Sequence, residues 1–521
     1  MKNKILGILV CMLLILTFFS TVGAINFDKN QYSNKTSNQS PSTEKGQTYY
    51  KKSFADIAYS VTQTDDEEII ADGTSIPEEA LRLCMIKTDK DGNKEWFKTY
   101  GEDNSHSYAA YDVEQTPDGD FVHAGSTTAT SDGHEDCLLI KTDKNGTVMW
   151  DKTYGGLEDQ VAYDVEVTDD GGYFVVGYTT ATNDGHPDVY LFKTDEDGNL
   201  KFENIVGQDT TMMGFSGKQT KDGNYVVCGI TDVTSDGKYD CWLLKFNSSG
   251  VELWNKTYGG LEDQVTYDVE VTDDGGYFVV GYTTDTNDDH PDVYFFKTDE
   301  DGNLEFEVQP PMDTTNYGFS GEQTPDGGYV VGGITDVSSD GKYDCWLIKT
   351  DNNGTVMWDN TYGGLEDQVA YDVEVTKDEG YIIAGYTNDT YNGEPDILLI
   401  KTNKNGDMEW TKKYGYQEDF VKIEISAGLG ITASIENIGT ETLTDVNWSL
   451  TVNNIEFGLV LFGEEKTGNI PILEPGNIET VKSLIIGAAL LEIKLLIQYR
   501  DLDDDGLANI ILIVIFCIEI S

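Results

Sequence analysis

Ile140–Trp150 reads IKTDKNGTVMW, and the chain can be counted from it. The stretch returns, edited, as Phe192–Phe202, Leu244–Trp254, Phe296–Phe306, Ile348–Trp358 and Ile400–Trp410, with an earlier copy at Ile86–Trp96. Its lysines stand at 87, 141, 193, 245, 297, 349 and 401, so that after a first step of 54 every step is 52. A repeat of about 50 residues points to a propeller or an array.

The third repeat shows what one unit contains. AYDVEVT (Ala162–Thr168) alternates and reads as a strand, and DDGG (Asp169–Gly172) is a tight turn. YFVVGYTT (Tyr173–Thr180), DVYLFKT (Asp188–Thr194) and LKFENIV (Leu200–Val206) read as three more strands, rich in β-branched and aromatic residues. Four short strands cannot bury both faces of their sheet alone, so neighbouring units must cover them. Seven such units over residues 48–415 predict an all-β, seven-bladed β-propeller of four-stranded blades. The segment YYKKSF (Tyr49–Phe54) resembles the ending of a fourth strand, which leaves open a clasp in which it joins the last blade and displaces Trp410–Tyr414. Residues 156–259 and 260–363 are near copies at an offset of 104, the mark of a two-blade duplication.

The flanks differ in composition. Residues 1–24 read as a secretory signal peptide, with Lys2 and Lys4 before an apolar core and Val22-Gly23-Ala24 as a small-residue cleavage site. Residues 25–47 are polar and read as a flexible linker. Residues 421–521, rich in Ile, Leu and Val, read as an immunoglobulin-like β-sandwich. The apolar run Ile510–Ile520 is too short for a membrane span of about 20 residues and reads as a closing strand. The sequence therefore predicts a secreted, extracellular or cell-surface-associated protein with no membrane span in the mature chain.

A formal charge of −58 repels phosphate backbones, so nucleic acid is excluded as a partner. Only Arg82 and Arg500 are arginines, too few for an anion-binding cluster. Cys137, Cys241 and Cys345 occupy one repeat position, filled by Val189, Val293 and Ile397 in sister repeats, which suits a small buried hydrophobe. Cys228 and Cys241 flank one turn and leave a cross-strand disulfide open.

Several motifs are candidates for chemistry, each beside a structural reading. Asp112, Asp164, Asp268 and Asp372 share a first-strand position, filled by Ser60, Ser216 and Ser320 elsewhere. They form either a channel ring that holds a cation or water, or a set of strand-end hydrogen bonds. The acid pairs Glu158/Asp159, Glu262/Asp263 and Glu366/Asp367 lead into that strand and add charge to the same rim. Asp136, Asp188, Asp240, Asp292, Asp344 and Asp396 open the third strand and read as backbone-bonding residues. Asp501, Asp503 and Asp505 have the 1-3-5 spacing of a calcium loop with Gly506 at position six, but Leu512 stands where the twelfth-position acid belongs. Calcium is thus the one cofactor the sequence suggests, against an acidic turn. The five histidines include no H-x-H pair, and no catalytic residue or cofactor site can be singled out.

TPDGGY at Thr324, DCWLIK at Asp344 and DNNGTVMW at Asp351 together resemble secreted prokaryotic β-propeller repeats. The last element also resembles the tryptophan-docking motif of quinoprotein-like propellers. That resemblance implies blade-docking roles for Trp96, Trp150, Phe202, Trp254, Phe306, Trp358 and Trp410. ENIGT (Glu436–Thr440) and LEPG (Leu473–Gly476) resemble CARDB-like immunoglobulin-type modules. The expectation is a non-catalytic binding or structural protein, with adhesion to a cell-surface protein or glycan as its use. The alternative is an extracellular hydrolase or lyase with a carboxylate site at the channel mouth.

Overall fold

The computed structural model describes residues 55–415, apart from short loop segments within 77–79, 102–104, 131–132, 182–185, 208–209, 233–237, 261, 285–289, 311–313, 338–341, 365 and 389–394, and the backbone of strands between 42 and 53 and between 417 and 519. The chain divides into two compact units, Ser53–Gln417 and a second formed by Met1–Lys52 with Glu418–Ser521.

The first unit is a seven-bladed β-propeller of four-stranded antiparallel sheets, as the repeat count requires. In the third repeat the strands are Gln160–Val167, Tyr173–Thr179, Asp188–Thr194 and Leu200–Val206, within two residues of their expected bounds. Every blade is one contiguous segment, from Ala55–Tyr100 to Gln368–Tyr414. The clasp is not formed. Met408–Tyr414 is the outer strand of the last blade, and Gln47–Ser53 lies in another sheet, between Ser42–Glu44 and Gln417–Gly428. The last blade already has a fourth strand of its own, so nothing is left for a spare strand to complete.

Each inner strand carries a β-bulge at one place. In the third blade Ala162 faces Gly177 and Asp164 faces Val176, leaving Tyr163 as the extra residue. The same shift falls between Ala58 and Ser60, Ala110 and Asp112, Gly214 and Ser216, Thr266 and Asp268, Gly318 and Ser320, and Ala370 and Asp372. A bulge bends its strand and breaks strict alternation, so two consecutive side chains face the channel. The partner strand must then be bare. A Cβ on Gly177 would lie 1.8 Å from the Val161 carbonyl oxygen, and Gly73, Gly125, Gly229, Gly281, Gly333 and Gly385 stand in the same close approach.

Apolar residues of adjacent blades interdigitate to form the core. One cluster joins Ala58, Ile69 and Cys84 of the first blade to Ile382, Ile397 and Leu399 of the seventh, so the closing junction is packed like the others. The repeat's leading lysines are buried, and each reaches an acid at the first turn of its own blade. Lys193 Nζ lies 2.8 Å from Asp170 and Lys349 Nζ 2.9 Å from Asp326, with Glu68 serving Lys87. The described cysteines of this unit are all buried and free. The disulfide left open between Cys228 and Cys241 is absent, because Cys228 faces Leu243 and Cys241 faces Ile230, which places the two sulfurs diagonally.

In the second unit, Gln417–Gly428 pairs with Gly430–Asn437, which pairs with Ile478–Ser483. A four-stranded sheet runs in the order Lys466–Leu473, Leu443–Asn454, Leu490–Arg500, Val514–Glu519. The run at Ile510–Ile520 therefore contributes a strand. Among the described residues no helix is long and apolar enough to cross a membrane.

Candidate functional site

The seven inner strands surround a channel whose cavity measures about 240 Å³. Three levels of side chains line it, and the bulge creates the first two.

The first level is a collar of aromatic rings. Tyr59, Tyr111, Tyr163 and Phe215 follow one another at centroid separations of 5.5, 5.4 and 5.6 Å. Tyr267, Phe319 and Tyr371 continue it at 5.6, 5.3 and 5.7 Å, and Tyr59 closes it at 5.1 Å from Tyr371. These separations suit tilted and edge-on ring pairs.

The second level holds Asp112, Asp164, Asp268 and Asp372 with the three serines, all lining the channel. Every one accepts a backbone N–H from the next blade. Asp112 Oδ2 takes Val165 N at 2.9 Å, Asp164 Oδ2 takes Gly217 N at 2.6 Å, and Asp268 Oδ2 takes Gly321 N at 2.9 Å. Asp372 Oδ2 takes Val61 N at 2.8 Å, which carries the pattern across the closing junction. Ser60, Ser216 and Ser320 accept from Val113, Val269 and Val373 at 3.3–3.4 Å.

The third level, nearer the first turns, carries Glu114, Glu166, Glu270, Glu322 and Glu374, with Thr62 and Lys218 at the remaining positions. Glu114 accepts Val167 N at 2.7 Å and Glu374 accepts Gln63 N at 2.6 Å; Glu322 accepts Val375 N. Lys218 is the one cation among the channel-lining residues.

Burial dominates the titration of five of these acids. It raises Asp372 to about 6, Glu270 to about 7 and Glu374 to about 8, and holds Glu114 and Glu322 well above the usual carboxyl range. At Asp170, Asp274 and Asp326 burial also acts upward, but bonds from the paired lysine and the adjacent threonine outweigh it and hold each carboxyl at about 2. A raised acid favours the fold below its unfolded pKa and loses that contribution as pH climbs through the folded value; a depressed acid does so as pH falls through its own. The melting midpoint is therefore expected to peak at about pH 4–5 and to decline both toward pH 8 and below about pH 3. A midpoint that rises from pH 5 to 8 in a buffer series would overturn this assignment.

The other sequence candidates fall elsewhere. The acid pairs lead into the aromatic end of the inner strands, not the glutamate end, and are taken up by the loops beside them. Asp159 bonds His134 Nδ1 at 3.1 Å, Asp263 accepts Tyr239 N at 2.8 Å, and Glu366 pairs with Lys342 at 2.9 Å. The third-strand acids lie against the glycine that follows the fourth strand: a Cβ on Gly259 would meet Asp240 Oδ1 at 2.0 Å. In the turn after the third strand, DEDGN (Asp195–Asn199), Asp195 Oδ1 accepts Asn199 N at 2.7 Å, so the turn itself uses the carboxylate. Asp501, Asp503 and Asp505 lie outside the described residues. No group of metal-ligating side chains occurs among the described ones.

The repeated aromatics sit at blade junctions. Trp254 packs toward Tyr277 of the next blade at 6.1 Å, and its ring lies 2.9 Å from where a Cβ on Gly302 would be. Gly302 has φ +73° and tops the next blade's third turn. Trp96, Trp150, Phe202, Phe306 and Trp358 meet Gly146, Gly198, Gly250, Gly354 and Gly406 in the same way, and Trp410 meets Gly92 of the first blade. Tyr414 Oη donates to the Gly92 carbonyl at 2.6 Å beside that last contact.

Sequence reasoning missed the third level, with its glutamates and Lys218, and two features besides. The aromatic collar was signalled by a Tyr or Phe directly before every channel Asp or Ser, but alternation places such neighbours on opposite faces. The second is a buried pair between the first two blades, His123 Nδ1 at 3.1 Å from Asp72 Oδ2, with both side chains fully enclosed. Burial lowers His123 to about 3, which leaves its imidazole neutral at ordinary pH, and raises Asp72 well above the usual carboxyl range.

Fold and channel together define a closed, seven-bladed β-propeller built from tandem repeats. No protein-family model matches the chain, and no curated protein matches it. Among solved structures it is similar to Sqt1 from Chaetomium thermophilum, at 12% identity and a TM-score of 0.42 over 73% of this chain and 94% of that one. It is also similar to a puromycin hydrolase, at 12% identity and a TM-score of 0.43, covering 74% of this chain and 58% of that one. The β-propeller domain of the trilobed protease from Pyrococcus furiosus matches at 12% identity and a TM-score of 0.39, over 69% of this chain and 96% of that one. With TM-scores below 0.5, these likenesses carry nothing about activity.

Proposed function

We propose that the chain is a secreted or cell-surface, non-catalytic binding or structural protein whose propeller serves as an acidic interaction scaffold. One observation supports this above others: the aspartates at the second channel level are each engaged by the next blade's backbone, at every junction where one occurs. Carboxylates so held are joints of the ring. The partner class is a protein or glycan at a cell surface. Residues 1–24 would direct export, and residues 421–521, read as an immunoglobulin-like sandwich, would serve as spacer or attachment module. Asp501, Asp503 and Asp505 would supply a calcium site in that module.

A specific observation favours the second reading, an extracellular hydrolase or lyase. Glu270 and Glu374, held near 7 and 8, have the pKa values of acids able to exchange protons at neutral pH. A glycan array probed with the full chain, with and without calcium, separates the two. Retention of a glycan that mass spectrometry shows to be intact is the expected result. Release of a shortened glycan, abolished by Glu374→Gln, would replace the scaffold reading with the hydrolytic one.

A further inference from the structure

Around the second channel level, serine and aspartate alternate over most of the ring. Each serine donates its hydroxyl to the aspartate of the next blade: Ser60 to Asp112 at 2.7 Å, Ser216 to Asp268 at 3.0 Å and Ser320 to Asp372 at 2.7 Å. Two alternating kinds cannot close on an odd number of blades. The alternation fails once, between the second and third blades, where Asp112 and Asp164 are neighbours and no hydroxyl stands between them. At the third level the same junction sets Glu114 beside Glu166, as Glu270, Glu322 and Glu374 stand side by side farther round. Lys218, from the fourth blade, occupies a position that is glutamate in five of the other blades and Thr62 in the first. Its ammonium reaches back to that junction, 3.7 Å from Glu114 Oε1 and 3.5 Å from Glu166 Oε2. The duplicate of its blade carries Glu322 there, so the lysine departs from the copied pattern at one point.

We propose that this part of the channel is an alkylammonium-binding site that the chain fills with its own Lys218, and that the lysine neutralises the mismatch an alternating ring of odd number creates. The proposal is independent of whether the propeller is scaffold or enzyme. Ion pairs with two half-buried carboxylates suit a primary ammonium, a compact point charge on a flexible stem.

The test is a melting series on the full chain at low ionic strength. Lys218→Ala is expected to lower the melting midpoint by several degrees. n-Butylammonium chloride, which matches the deleted side chain, should restore more of the loss than sodium chloride at equal ionic strength. Glu166→Gln should shrink the effect of Lys218→Ala, because one of the two carboxylates that the ammonium pairs with is then already gone. Equal recovery with both salts, or an unchanged effect in the Glu166→Gln background, would overturn the proposal. Lys218→Met keeps the stem and serves where the alanine variant does not fold; a wild-type midpoint for it would overturn the proposal equally.

Discussion

Trp254→Ala should destabilise the propeller by about 3 kcal/mol. The indole is partly buried, packed on the cluster formed by Tyr277, Val279 and neighbours. Losing it removes apolar contact and opens a gap over Gly302, whose positive φ and lack of a Cβ leave the site unable to collapse inward. The junction would keep its hydrogen bonds, including Tyr258 Oη to the Gly302 carbonyl at 2.6 Å. The ring should therefore loosen at one junction without unfolding outright. Calorimetry checks the value, and an unshifted midpoint would remove the docking role. Phe202→Ala, with less surface to lose, should have a smaller effect than Trp254→Ala.

The buried pair between the first two blades should behave in the opposite way when both members go. His123→Val alone leaves Asp72 enclosed with the partner of its bonded Oδ2 removed; the other oxygen, Oδ1, already lacks a hydrogen-bond partner among the described residues. Such an orphan costs about 3 kcal/mol. Asp72→Val together with His123→Val reproduces the arrangement two blades on, where Val176 and Val227 meet in an apolar cluster. The double variant should be at least as stable as the wild type, since replacing a buried polar pair by packed hydrophobes is often stabilising. Denaturant titration of the three proteins decides this. A double variant no more stable than His123→Val would show that the pair contributes more than its hydrogen bond.

How far these features were legible in the sequence depends on their period. The 52-residue step and the four strand patterns within it were enough for the fold, because a sheet that repeats must be covered by its own copies. The aromatics that recur at the blade junctions stood out for the same reason. The channel was only half visible. The aspartate position stood out as a column, but the bulge that turns Tyr163 and Asp164 to the same side has no sequence mark beyond the glycine opposite it. Reading with strict alternation hides the collar. Asp72 and His123 were hidden differently, since each departs from the repeat in a single blade. So does Lys218, and a repeat-by-repeat reading treats such departures as noise.

The contiguity of the blades has a consequence for how such a chain changes its size. A ring clasped by a borrowed strand has one privileged seam, and any added unit must respect it. Here the seventh and first blades meet through Trp410 on Gly92, Asp372 on Val61 and a shared apolar cluster, the same kinds of contact as at the other junctions. The closing junction is not set apart from the others by its contacts. Copying two blades into the chain, as the 104-residue offset records, inserts two more equal sides and leaves nothing to be re-threaded.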